Sequence, residues 1–323
     1  MSDIFRWHGG RLDAARARYT TAGEPWIDLS TGVNPVPWPG AEQIRPDWHA
    51  LPDPAALADL EAAAAAHFGA EPAHVCALPG SEMGLRLLPH LLGQPGCHLV
   101  PSYRTHAAAF PQPIAAPEEA PARTALLLAN PNNPDGRVFS RARMNALLSA
   151  QEQNDGWLIV DEAFADSLPD ASIANEVRAD RRLIILRSFG KFFGLAGLRL
   201  GFLIGPPAIV AACRHVLGDW PLSAAAIDFG RAAYRDAEWI AQTIASLREH
   251  AGRLDQLLAR HGLHARGDCP LFRLIETPDA SALFEKLARQ AILTRPFEDQ
   301  PRWLRFGLPA DDAAMARLDA AFG

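Results

Sequence analysis

The chain has 323 residues and a mass of 35.0 kDa, long enough for one large or two medium domains. With 49% hydrophobic and 21% charged residues it can bury a sizeable core, which excludes disorder as its main state. A net charge of −6 gives no electrostatic reason to expect nucleic acid or an anionic membrane, and the four scattered cysteines (Cys76, Cys97, Cys213, Cys269) form neither a disulfide framework nor a zinc-ligand spacing, so no metal site is expected.

The opening MSDIFRWHGG lacks a basic-then-apolar signal pattern. No stretch reaches the ~18 apolar residues of a membrane span. A soluble cytoplasmic protein is expected. The first helix candidate spans 54–68, with Asp53 as N-cap and Pro54 at its first position. A second spans 81–92, with Pro89 predicted to bend it. From 97 onward, short apolar runs at 97–103, 125–129, 157–160, 183–186 and 200–204 lack polar alternation. They suit strands of a parallel sheet buried on both faces. A helix over 140–154 follows the turn at Pro134-Asp135-Gly136, and 115–121 reads as a surface loop. The pattern changes near Trp220. Long amphipathic helices are predicted over 224–260, then a strand at 271–275, a helix at 280–290, strands at 292–295 and 303–308, and a last helix from Asp311. The fold class is therefore α/β, with a mostly parallel sheet sandwiched by helices in a large domain at 36–220. A smaller α+β domain is expected from 1–35 and 221–323.

Of 31 basic residues only two are lysines, Lys191 and Lys286. Guanidinium stays protonated and is a poor nucleophile, so a retained lysine marks a place where an amine is needed. Lys191 lies in Arg187-Ser-Phe-Gly-Lys191-Phe-Phe-Gly-Leu-Ala-Gly-Leu-Arg199-Leu-Gly, just beyond a buried strand, where it can form a Schiff base with an aldehyde. Ser188 and Arg199 can hold a phosphate. Asp161 ends the apolar run Trp157-Leu-Ile-Val, and a carboxylate there needs a cationic partner such as a protonated ring nitrogen. Its neighbour Glu162 reads as structural. Asn133 sits in the turn sequence Asn130-Pro-Asn-Asn-Pro-Asp-Gly136. Gly80-Ser81-Glu82 opens a helix whose amides can bind phosphate without a basic residue.

The ordered set Gly-Ser-Glu, Pro-Ser-Tyr, Asn-Asn-Pro-x-Gly, Asp-x-Ala-Phe and Ser-x-x-Lys-x7-Arg resembles the fold type I, aspartate-aminotransferase-like enzymes that use pyridoxal 5′-phosphate (PLP). The resemblance implies that Lys191 holds the coenzyme and that Asp161 keeps its ring nitrogen protonated, making the ring an electron sink. It places Asn133 at the ring hydroxyl oxygen and Tyr103 as the stacking aromatic, with His106 supporting Asp161. Gly80, Ser81 and Glu82 (the last two through their amides), Ser188 and Arg199 would cradle the phosphate.

Within that family, His8-Gly9-Gly10, Asp28-Leu-Ser-Thr-Gly-Val-Asn34-Pro35 and the Lys191 segment resemble threonine-phosphate decarboxylases of cobalamin biosynthesis. Phe164, where most aminotransferases carry a tyrosine, points the same way. This implies a carboxy-lyase converting L-threonine O-3-phosphate to (R)-1-amino-2-propanol O-2-phosphate and CO2. The alternative is an aminotransferase such as one acting on histidinol phosphate; a non-catalytic protein of the same fold conflicts with the intact Lys191, Asp161 and Arg199 set. Arg305 matches the arginine that binds the substrate carboxylate, His8 and Asn34 resemble residues at the substrate end, and Arg295 could add charge. Leu51 replaces a tyrosine that reaches the neighbouring subunit, and Gly32 and Pro309 replace polar residues of some decarboxylases. A homodimer binding a small phosphorylated amino acid, with no nucleic acid or membrane partner, is expected.

Overall fold

The computed structural model describes residues 4–23 and 25–323. In chain order its elements begin with α1 (Ile4–Trp7), α2 (Leu12–Arg18), β1 (Ile27–Asp28), α3 (Pro54–Phe68), β2 (Val75–Leu78), α4 (Ser81–Leu92) and β3 (Gly96–Leu99). Then come α5 (Arg104–Ala109), β4 (Gln112–Ile114), β5 (Ala125–Ala129), α6 (Arg141–Gln153), β6 (Trp157–Asp161), β7 (Leu183–Ser188), α7 (Phe189–Phe192) and β8 (Gly201–Ile204). The last third holds α8 (Pro207–Leu217), α9 (Ala224–Tyr234), α10 (Ala237–Arg260), β9 (Ala265–Arg266), β10 (Phe272–Glu276), α11 (Ala280–Ala288), β11 (Ile292–Leu293), β12 (Arg295–Pro296), β13 (Trp303–Gly307) and α12 (Asp312–Phe322).

The chain divides into two compact units. The larger comprises 37–133 and 138–244; the smaller comprises the segment up to Val36, Pro134–Arg137 and Ala245–Gly323. The boundary falls inside α10, where the sequence reading placed it after 220. Local bonds account for this. Trp38 donates its indole N–H to Asp236 at 2.9 Å, and Arg235 pairs with Asp59 of α3, so α9 and the start of α10 belong with α3.

In the larger unit a seven-stranded sheet runs in the order β2-β8-β7-β6-β5-β3-β4. β8 is antiparallel to both its neighbours and the other pairings are parallel. β5 to β8 are buried along their length apart from the half-buried Trp157 and Ser188 at the ends of β6 and β7, which explains their uninterrupted apolar runs. β4 is an edge strand carrying Pro113, which is tolerated only because an edge strand has one unpaired side. The sequence reading assigned no strand at 112–114, because a proline inside a three-residue run masks it. α3 starts as predicted, with the Asp53 carboxylate accepting from the Ala55 amide at 2.8 Å. α4 runs through Pro89 to Leu92. Its inner face (Leu85, Leu88) packs on Leu78, Leu127, Ile159 and Leu186 of the sheet, forming the main core.

The smaller unit holds an antiparallel sheet, β12-β13-β10-β9, and a parallel pair, β1-β11. Arg273 of β10 donates from Nε and a terminal nitrogen to the two oxygens of Asp255, at 2.6 and 3.0 Å. No described helix is long and apolar enough to cross a membrane, and no described cluster of His, Cys, Asp or Glu could hold a metal ion.

Candidate active site

Parallel β5, β6 and β7 end at one edge of the sheet, with Ala129 opposite Asp161 and Asp161 opposite Leu186. Residues just beyond such an edge converge on a shared crevice. A cavity of about 120 Å³, open to solvent on one side, lies there. Asn133, Asp161, Ser188 and Lys191 line it from the strand ends, and Ser81, Glu82, Tyr103 and Arg199 from the flanking segments.

The three asparagines after β5 have different tasks. Asn130 is fully buried; its amide donates to the Phe139 and Ala171 carbonyls and accepts from the Phe139 N–H at 2.8 Å. Asn132 donates to the Pro101 carbonyl at 2.9 Å. Both fix the loop, and Asn133 is the one that faces the cavity.

Asp161 is 6% exposed. Its Oδ1 accepts from the Ala163 amide at 3.1 Å, and its Oδ2 lies 3.0 Å from Nε2 of the fully buried His106. His106 Nδ1 has no hydrogen-bond partner. A proton there would be a buried, unmet donor, so the network assigns the proton to Nε2, which donates to the carboxylate. Two donors orient Asp161.

Lys191 sits in the single turn α7. Phe189, Phe192 and Phe193 around it are fully buried, and Phe189 stacks on Phe193 at 4.4 Å. The Phe189 amide bonds to the Leu200 carbonyl at 3.2 Å, tying the turn to the chain entering β8. Anchored aromatics thus hold the backbone while the lysine reaches the cavity, its Nζ 6.0 Å from the centre of the Phe164 ring.

Opposite lies the start of α4. Gly80, at φ 88°, precedes the helix, and no side chain caps its first turn. A Cβ on Gly80 would stand 2.8 Å from an Arg199 guanidinium nitrogen, and one on Gly201 would stand 2.3 Å from the Ser81 amide nitrogen. Two glycines therefore let a cation and a strand close on the helix N-terminus. Arg199 itself is held in the left-handed region at φ 54°, a conformation that costs a non-glycine residue about 1–3 kcal/mol. A guanidinium beside the positive end of a helix is repelled unless an anion lies near both, so the arrangement fits a phosphate.

Tyr103 precedes α5, with its hydroxyl donating to Glu82 Oε2 at 3.1 Å. Burial, then the Glu82 charge, pushes its hydroxyl above the ordinary value of 10.0. An amine, an oriented carboxylate, an amide, an aromatic face and an anion cradle thus surround one cavity. A planar ring bearing an aldehyde and a phosphate fits these groups.

Beneath this layer lies a cluster that the sequence reading identified only in part. Arg187, 3% exposed, pairs with Glu162 at 2.9 Å and with Asp166, and its guanidinium lies 4.6 Å from the Phe68 ring centre. Glu162 also accepts from Ser172 and the Ile173 amide, which makes it the structural carboxylate expected. Asp166 bonds to His67 at 2.9 Å. The signal available in the sequence was three charges in apolar surroundings: Glu162 directly after β6, Asp166 in the turn that follows, and Arg187 near the end of β7.

His8, Asn34 and Arg305 belong to the smaller unit. Asn34 is buried, and its Oδ1 accepts from the Val36 amide at 3.0 Å. His8 is half-buried; the Gly10 amide after it donates to Ser30 Oγ at 2.8 Å, which pins this segment. Arg305 is 6% exposed, donates to the Ser30 carbonyl at 3.1 Å and lies over the Phe272 ring. Burial pulls its guanidinium down to about 10. Arg295 stands directly across from it on β12. Like charges so paired repel, an arrangement suited to binding anions.

Residues 108–318 match the family model for class I and II aminotransferases. The chain is 43% identical to a threonine-phosphate decarboxylase of Pseudomonas aeruginosa, over 97% of this chain and 96% of that one. It is 38% identical to a threonine-phosphate decarboxylase of a Sinorhizobium species, over 96% of each. In fold it is similar to a histidinol-phosphate aminotransferase from Sinorhizobium meliloti solved with pyridoxal-5′-phosphate, with a TM-score of 0.83 and 23% identity over 96% of this chain and 92% of that one. With the family model matching about two thirds of the chain and a 43% identical relative covered almost end to end, the chain belongs to the class I and II aminotransferase family.

Proposed function

We propose that this protein is a PLP-dependent carboxy-lyase that converts L-threonine O-3-phosphate to (R)-1-amino-2-propanol O-2-phosphate and CO2, a reaction of cobalamin biosynthesis. The observation that carries this reading is the 43% and 38% identity, over nearly the full length of each chain, to proteins named threonine-phosphate decarboxylase. The cavity supports it by fitting the coenzyme at each functional group.

Bound there, pyridoxal phosphate supplies a protonated aromatic ring that accepts the electron pair left at the substrate's α-carbon. Lys191 is the amine that would hold the aldehyde carbon through Nζ. Asp161, oriented by Ala163 and His106, would face the ring nitrogen and hold a proton there. Asn133 would donate to the ring hydroxyl oxygen, and Phe164 has no hydroxyl to add a second donor. Ser188, Arg199 and the Ser81 and Glu82 amides would take the phosphate. For the substrate's own anions the proposed contacts are Arg305, whose planar fork suits a carboxylate, with His8, Asn34 and Arg295. Loss of CO2 requires one proton to arrive at the α-carbon.

The test is incubation of the PLP-loaded enzyme with L-threonine O-3-phosphate. Stoichiometric CO2 without pyridoxamine phosphate is expected; pyridoxamine phosphate without CO2 would replace this reading with an aminotransferase. We also propose a cytoplasmic homodimer. Trp48 and Leu51, 71% and 68% exposed on the segment before α3, are large apolar side chains that a second copy could cover. A fully active monomer in sedimentation would exclude it.

A further inference from the structure

We propose that the Glu82 side chain is a positioning group, fixing the Tyr103 ring at the cavity wall and the start of α5 behind it. This rests on the coenzyme reading above, which assigns Glu82 only a backbone amide. A carboxylate in the first turn of α4 is favourable to the helix dipole but stands beside the cradle for a phosphate, where its charge opposes binding. Its bonds explain its presence. Oε2 accepts from the Tyr103 hydroxyl at 3.1 Å, and both oxygens accept from the Thr105 hydroxyl, at 3.0 and 2.9 Å. Arg86, one turn on, closes Oε1 with two donors at 3.0 and 2.8 Å and neutralises the charge.

Tyr103 and Thr105 flank the point where α5 starts, and the next residue is His106, which orients Asp161. One carboxylate therefore braces a short segment that serves both ends of the site: an aromatic face at Tyr103 and the imidazole behind the ring-nitrogen carboxylate. Six residues of helix could not hold that alignment by their own hydrogen bonds.

The experiment compares E82A, Y103F, the double variant and E82Q. PLP affinity of the apoenzyme is expected to fall about 5- to 20-fold in each of E82A and Y103F. The double variant should lose no more than the worse single, the mark of one shared interaction. E82Q keeps an acceptor oxygen and should recover most of the affinity; it also serves if E82A does not fold. A second readout needs no coenzyme. The chain has three tyrosines, so 3-fluorotyrosine labelling gives three fluorine signals. In apo E82A or E82Q the Tyr103 signal should shift and titrate at lower pH, while those of Tyr19 and Tyr234 stay in place. Losses that multiply in the double variant, or a Tyr103 signal that does not move, would overturn the proposal. Failure of the wild-type protein to bind PLP would instead overturn the coenzyme reading and leave the fluorine test standing.

Discussion

Replacing Lys191 by arginine keeps the positive charge and removes the amine. Because the turn is held by Phe189, Phe192 and Phe193 and by the Phe189–Leu200 backbone bond, the fold should survive the change. Turnover should fall by more than about 10³-fold, the scale of losing a covalent catalytic group. Borohydride should no longer fix PLP to the chain; labelled coenzyme retained at another residue would refute the assignment. This residue was legible in the sequence because lysine is so scarce in an arginine-rich chain and because the spacing to Ser188 and Arg199 is local. The Glu82 carboxylate was not legible. Its partners Tyr103 and Thr105 lie 21 and 23 residues away, and no local pattern shows which donors a strand and a turn will bring to it. The tautomer of His106 was hidden for the same reason, since it depends on what its second nitrogen meets.

At the scale of elements, the cradle depends on how closely α4 approaches β8. Gly201→Ala would place a methyl 2.3 Å from the Ser81 nitrogen and under 3 Å from the Gly80 and Arg187 backbone. None of these atoms can swing aside as a side-chain tip can. The helix N-terminus must retreat, so PLP affinity should drop at least about 10-fold and stability by about 1–3 kcal/mol. Unchanged affinity by titration would show that the close approach is incidental. A second prediction concerns the ion cluster joining β7 to the chain after β6. Arg187→Met strands Glu162 and Asp166 in the interior, at a cost of about 3–5 kcal/mol. The melting temperature should fall on the order of 10 °C, and a fall of under about 2 °C would show the cluster to be dispensable. Burial opposes ionisation of Asp166, yet Arg187 and His67 hold it below its ordinary 3.8. Its contribution is therefore complete above 3.8 and is lost as pH falls through the lower folded value. Most elements were legible: β5 and α3 match their predicted bounds, because an apolar run of five and an Asp-Pro start are strong local signals. β2 was overlooked and the antiparallel setting of β8 was not foreseen, since pairing direction is decided by connections that periodicity does not encode.

For the molecule as a whole, the four buried thiols report on opening. Cys76 is 1% exposed and Cys97, Cys213 and Cys269 are fully buried. Burial pushes Cys269 up to about 12, so almost no thiolate is present near neutral pH. A thiol reagent should therefore find no fast site in the native protein and four sites after denaturation. Cys76 and Cys213 lie in one core cluster, and Cys76 lies on the β2–β8 ladder, in which Leu78 pairs with Gly201. Exposing Cys76 separates that ladder, and the same separation removes the strand against which the start of α4 is seated. PLP should then protect Cys76 by mass action: at 100 times its dissociation constant the opening is disfavoured by about 2.7 kcal/mol, a slowing of about 100-fold. Labelling followed by peptide mass analysis reads this at each cysteine separately. If Cys76 reacts at one rate with and without the coenzyme, either the ladder opens without disturbing the cradle or the coenzyme does not sit at α4, and a G201A control separates the two: it should speed Cys76 labelling only if ladder and cradle open together.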